Sequence, residues 1–222
     1  MKITVLGGWA YPSSSLTGLT EAISPGAEAQ IIPFDQPLDT HAPPPDLLIG
    51  WSLGGLRAIE AVANGTMHPR RPALVSSTAR FCATEGYPCG TDRAALRSMM
   101  VGLRRNRAAT LAAFFAGAMA PAPPDIAMIE AREQDARIFS DAALAEGLRL
   151  LDEMDMRPFL TQLTMPVLIL HGAHDRIIPV SAAHDLAAAV RQATVRIHPD
   201  AGHELVLREQ DWVVEQVRGH IA

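Results

Sequence analysis

Short, almost uniformly apolar runs alternate along this chain with longer segments of helical period. Lys2 to Leu6 is one such run, stopped by Gly7-Gly8. Ala29 to Phe34, Asp46 to Gly50, Ala73 to Ser77, Pro166 to Leu170 and Thr194 to His198 are five more. The third follows Pro43-Pro44-Pro45 and the fourth follows Pro72. Runs without in-out alternation suit strands buried on both faces of a parallel sheet. Leu53 to Asn64, Ala182 to Gln192 and Glu209 to His220 read as helices between or after them. Strand, helix, strand in this order predicts a doubly wound, mostly parallel α/β sheet of about six strands with right-handed crossovers.

One stretch departs from this rhythm. From Thr91 to Leu163 there are helical patterns and no strand, divided by Pro121-Ala122-Pro123-Pro124. That is more helix than one crossover requires. It predicts an inserted helical cap at 91–163, with the core formed by 1–90 and 164–222. Neither an internal repeat nor a low-complexity tail is present.

Composition narrows the class. With 222 residues, 48% hydrophobic and 19% charged, the chain has enough apolar surface for a well-buried core. A net charge of -5 gives no global attraction for nucleic acid. Cys82 and Cys89 are too few for a disulfide scaffold, and they lack structural-zinc spacing. The start, MKITVLGG, lacks the pattern of a signal peptide, and no apolar run reaches the roughly 20 residues of a membrane span. A cytoplasmic monomer is expected, without membrane, metal or cofactor.

The chemistry begins at Gly50-Trp51-Ser52-Leu53-Gly54, a G-x-S-x-G pattern followed by Gly55. A strand precedes it and a helix follows. A serine on such a sharp turn sits in a strained backbone conformation, and the small residues let strand and helix approach. It also sits at the positive end of the helix. A serine hydroxyl needs a base to act as a nucleophile at neutral pH.

The acid and base of such sites follow the serine in that order. Asp175, in His171-Gly172-Ala173-His174-Asp175, lies in a loop after the fifth strand, and His203 in the loop after the sixth. His203 is the expected base and Asp175 the acid that orients it. His171, His174, His198 and Asp200 share these loops, and Asp200 is the main competitor for the acid. An oxyanion hole needs two backbone N–H groups. Leu53, after the nucleophile, and Trp9, in the glycine-bearing loop after the first strand, are expected to supply them.

These residues resemble the BioH-type pimeloyl-acyl carrier protein methyl ester esterases, which are α/β-hydrolases. The likeness is carried by Gly50-Trp51-Ser52-Leu53-Gly54-Gly55, Gly8-Trp9, Val75-Ser76-Ser77 and Met165-Pro166-Val167-Leu168 with Gly172 and Asp175. Leu148-Arg149-Leu150-Leu151 and Asp155-Met156-Arg157 are similar too. The resemblance implies an α/β-hydrolase fold and a carboxylesterase acting in biotin synthesis. It implies Ser52, Asp175 and His203 as triad, and Trp9 and Leu53 as oxyanion donors. It also implies substrate contacts from Trp9, Trp51 and either Phe114 or Phe115. Two departures stand out: the family's N-terminal strand pair is missing, and its His-Gly oxyanion loop is Gly7-Gly8 here. A general esterase or lactonase for small acyl esters would use the same triad.

From Thr91 to Thr110 there are five arginines against one acid, Asp92. On a single helix, Arg93, Arg97, Arg104 and Arg107 share one stripe, with Leu96, Met99 and Leu103 beside it. Gly102 is the expected point of interruption. The alternatives are a solvated face and a docking patch for an acidic acyl carrier protein.

Overall fold

The computed structural model describes residues 1–222. Six strands form one sheet: β1 (Lys2–Leu6), β2 (Glu28–Ile32), β3 (Leu47–Trp51), β4 (Arg71–Val75), β5 (Val167–Gly172) and β6 (Ala193–His198). Their spatial order is β2-β1-β3-β4-β5-β6, and every neighbouring pair is parallel. The expected α/β sheet is therefore present, with six strands. All five residues of β3 and all six of β5 are buried. Burying each aliphatic side chain there contributes about 1.5–3 kcal/mol.

Helices cover both faces. On one side lie α1 (Thr17–Ile23) and the C-terminal α9 (Gln210–Ile221), which pack on each other. On the other side, α2 (Leu53–Ala63) packs on β1 and β3, and α7 (Val180–Ala189) packs on β5 and β6. Helix α1 is an element that the apolar pattern did not disclose. It has seven residues and contributes only Leu19, Thr20 and Ile23 to the buried interior.

Strand β4 begins earlier than expected and includes Pro72. A proline lacks the N–H that a sheet ladder uses. Here the ladder to β3 is carried by the Arg71 N–H, which donates to Asp46 O at 3.0 Å. Pairing with β5 starts only at Ala73, so Pro72 interrupts no bond on that side.

Between β4 and β5 the chain forms α3 (Arg93–Arg105), α4 (Arg107–Ala118), α5 (Ile126–Asp135) and α6 (Asp141–Glu153). Four caps with side-chain acceptors define them: Asp92, Asn106, Asp125 and Ser140 accept from Ala94, Ala109, Met128 and Ala143 N–H respectively. The break in the first helical stretch falls at Asn106, whose backbone is extended, and α3 runs through Gly102 without interruption. The single arginine stripe is thereby corrected: Arg107 belongs to a different helix from Arg93, Arg97 and Arg104. The short α8 (Leu205–Arg208) lies between β6 and α9. No helix is long and apolar enough to cross a membrane.

Candidate active site

The site lies on loops at the carboxyl ends of β1, β3, β5 and β6, where open parallel sheets offer their crevices. Ser52 sits at φ 55° and ψ -122°, between β3 and α2. This strained conformation is held by bonds at both ends of the residue. Its N–H donates to Val75 O at 3.0 Å, and its carbonyl accepts from Gly55 N–H at 2.9 Å and Ser77 Oγ at 2.8 Å. Gly54 must be glycine, since a Cβ there would lie 2.0 Å from Leu6 O. Strand β1 and helix α2 therefore meet with no room for a side chain.

His203 Nε2 lies 2.9 Å from Ser52 Oγ, and Nδ1 lies 2.8 Å from Asp175 Oδ2. A carboxylate only accepts, so Nδ1 carries the proton and donates it to Asp175. Nε2 is then the acceptor for the Ser52 hydroxyl. His203 is fully buried, Asp175 is 8% exposed and Ser52 is 6% exposed. Asp175 Oδ1 accepts from the N–H groups of Ile177 at 2.8 Å and Ile178 at 2.9 Å.

The charge state of Asp175 follows from these partners. Burial alone would raise its pKa, but the electrostatic influence of His203 and hydrogen bonds from His171 and His203 outweigh it. The carboxyl is held well below its ordinary range. His171 enters this arrangement as a second imidazole on the same acid. Its Nε2 is 2.9 Å from Ile178 O and 3.3 Å from Asp175 Oδ2. His171 lies close to Asp175 in the sequence, and nothing in that spacing signals this contact. Asp200 and His198 make no bond to the relay: the Asp200 backbone N–H donates to His198 Nδ1 at 3.3 Å, and His198 Nε2 lies 3.8 Å from Glu209.

The loop after β1 runs against the serine, since a Cβ on Gly8 would lie 3.2 Å from Ser52 Cβ. The backbone N–H groups of Trp9 and Leu53 donate to no acceptor within the protein. Both are therefore free to donate to a group from outside the protein. Trp9 is anchored from above: its indole N–H donates to Leu144 O in α6 at 2.9 Å, and its ring meets Phe114 edge-on with centroids 4.9 Å apart.

The remaining aromatic candidates separate. Phe114 lines an apolar groove of about 440 Å³ between α3 and α4, together with Met99, Ala109, Ala113 and Ile177. Phe115 is fully buried against Tyr11. Trp51 is fully buried too, and its indole N–H donates to His203 O at 3.2 Å. It supports the base from behind.

The arginines separate as well. Arg93 pairs with Asp152 at 2.6 Å, and Arg107 pairs with Asp141 at 2.7 Å while also donating to the carbonyls of Ala136 and Phe139. These two hold helices together. Arg97 and Arg104 are exposed and form no ion pair, and neighbouring Arg105 is like them.

A model of the alpha/beta hydrolase family matches residues 11–216. The chain is similar to a pimeloyl-[acyl-carrier protein] methyl ester esterase of Aliivibrio salmonicida (strain LFI1238), at 30% identity over 180 residues, covering 80% of this chain and 69% of the relative. A relative of the same name from Xanthomonas axonopodis pv. citri (strain 306) is 28% identical over 240 residues, covering 99% of this chain and 94% of its own. Among solved structures, an esterase from Exiguobacterium antarcticum has a TM-score of 0.87 at 17% identity, over 100% of this chain and 91% of that one. This last likeness concerns the fold alone.

Proposed function

Because the chain belongs to the alpha/beta hydrolase family, and within it stands with the pimeloyl-[acyl-carrier protein] methyl ester esterases, we propose that it is a serine carboxylesterase hydrolysing the methyl ester of pimeloyl-acyl carrier protein in biotin synthesis. The observation that carries the chemistry is the continuous relay from Ser52 through His203 to Asp175. Ser52 Oγ attacks the ester carbonyl carbon while His203 Nε2 takes its proton. Trp9 and Leu53 N–H groups stabilise the oxyanion. The imidazolium, steadied by Asp175, returns the proton to the methoxy oxygen, and methanol leaves. Water then attacks the acyl-serine, with His203 again as base, releasing the free carboxylate and restoring Ser52.

Residues 91–163 act as a cap over this chemistry, and the groove beside Phe114 is suited to an apolar acyl chain. The carrier protein docks on the exposed arginines of α3, chiefly Arg97 and Arg104. The unpaired thiols Cys82 and Cys89 fit a reducing cytoplasm.

The test is to compare pimeloyl-carrier methyl ester with a short nitrophenyl ester. Steering of an acidic carrier raises association about 10-fold or more, so kcat/KM is expected to favour the carrier-linked substrate. Equal preference would return the chain to the general esterases. Arg97→Glu with Arg104→Glu is expected to cut kcat/KM on the carrier-linked substrate about 10-fold at low salt. Added salt should shrink that loss, and the short ester should respond within about twofold. An equal loss on both esters would remove the docking role.

A further inference from the structure

Beside the relay lies a second buried polar group that the mechanism above leaves unused. Glu204 directly follows His203, and its side chain is fully buried. Its Oε1 accepts a hydrogen bond from Tyr11 Oη at 2.7 Å and from Arg132 Nε at 3.3 Å. Its Oε2 has no partner within the protein. A carboxylate this deep is costly unless a cation faces it. Arg132, 20% exposed and projecting from α5, is that cation, and its guanidinium also lies over the Tyr11 ring at 5.7 Å.

Tyr11 connects this pair to the oxyanion loop. It stands two residues after Trp9, and Ala10 between them has a φ of 64°, a left-handed conformation that a residue with a Cβ adopts at a cost. Such a turn persists only when both sides are held. On one side Trp9 is tied to Leu144 in α6. On the other, Tyr11 is tied to Glu204, and its ring packs on Trp51 at 4.5 Å and Phe115 at 5.3 Å. Burial first, and then the charge of Glu204, push the Tyr11 phenol well above its ordinary pKa. It is therefore a constant donor at any working pH. The Glu204 N–H also donates to Ala118 O at 3.3 Å, the last residue of α4. Oxyanion loop, base loop and two cap helices converge on one residue.

We infer that Glu204 is a positioning residue for the acyl-transfer step: through Tyr11 it aims the Trp9 N–H at the oxyanion, and through Arg132 it makes that aim depend on α5 being seated. The inference rests on the reading of Ser52 as nucleophile. It separates two jobs that a buried ion pair could have. A purely structural pair would affect folding stability and leave turnover per folded molecule unchanged. A positioning pair affects the transition state more than substrate binding.

The experiment compares Tyr11→Phe, Arg132→Met and Arg132→Lys with the wild type on a short nitrophenyl ester. Thermal melting reports folding, and a trifluoromethyl ketone that forms an oxyanion on Ser52 serves as a transition-state analogue. Tyr11→Phe keeps the packed ring and removes only the donor. Its kcat is expected to fall about 10- to 100-fold, as for a small misplacement at a reacting centre, with KM within about twofold. Ketone binding should weaken in parallel. Arg132→Met should show the same split, and Arg132→Lys should recover most of the loss. The inference is overturned if Tyr11→Phe keeps its kcat and ketone affinity, or if Lys at 132 rescues no better than Met. An unreactive wild type would overturn the nucleophile itself, a different failure from an active wild type matched by its Tyr11→Phe variant.

Discussion

Ser52→Ala is expected to lower kcat on a short nitrophenyl ester by on the order of 10⁶-fold, the scale on which removing the serine of a catalytic triad acts. The same variant should lose all labelling by a serine-reactive phosphonate. Alanine suits the site sterically, since Ser52 already has a Cβ at φ 55° and its backbone bonds to Val75, Gly55 and Ser77 do not use the hydroxyl. Stability should therefore change little, and KM should hold because only the hydroxyl is removed. Residual hydrolysis above the uncatalysed rate would come from the oxyanion donors. Phosphonate labelling that persists in Ser52→Ala would move the nucleophile elsewhere.

Asp175→Asn is expected to cost about 10⁴-fold in kcat with a small change in KM. The amide can turn its NH2 toward His203 Nδ1, which then becomes an acceptor. The proton moves to Nε2, and the side of the ring facing Ser52 at 2.9 Å can no longer take the hydroxyl proton. The geometry survives while the tautomer is wrong. A variant within tenfold of wild type would show that Asp175 does not set the tautomer of the ring.

Asp175 also sets a pH dependence of stability. Its folded pKa is depressed below the ordinary value of about 3.9. Above about pH 4 its contribution is fully present. Below that, the unfolded chain binds a proton that the folded state refuses, so stability falls with falling pH until the folded carboxyl protonates too. Urea midpoints between pH 3 and pH 6 should drop more steeply for wild type than for Asp175→Asn. Parallel slopes would contradict the depressed value.

The grouping of Ser52, Asp175 and His203 is legible in the sequence for local reasons. Leu47 to Ile49 are apolar without interruption because β3 is covered on both faces, and the glycines around Ser52 mark a turn that excludes side chains. Asp175 and His203 declared themselves by standing just past strands. What was illegible depends on contacts between distant residues. Tyr11 and Glu204 are 193 positions apart, and Arg132 and Glu204 are 72 apart, so no spacing could link them. The arginine stripe was misread for two physical reasons. Asn106 caps a new helix, and the carboxylates that engage Arg93 and Arg107 sit at 152 and 141. Periodicity reports which residues share a face of one helix, and it is silent about what covers that face.

The wide separation of the reacting groups along the chain has a practical consequence. Ser52, Trp9 and Leu53 precede the exposed Pro123-Pro124-Asp125 segment, and Asp175 and His203 follow it. On the proposed mechanism, a polypeptide divided there yields two fragments with complementary halves of the reagent set, a nucleophile with its oxyanion donors and a base with its acid. Neither half can complete an acyl transfer, so colour released from a nitrophenyl ester would report their reunion. The enzyme is laid out as a split reporter, with the dividing point in a proline-rich turn between α4 and α5.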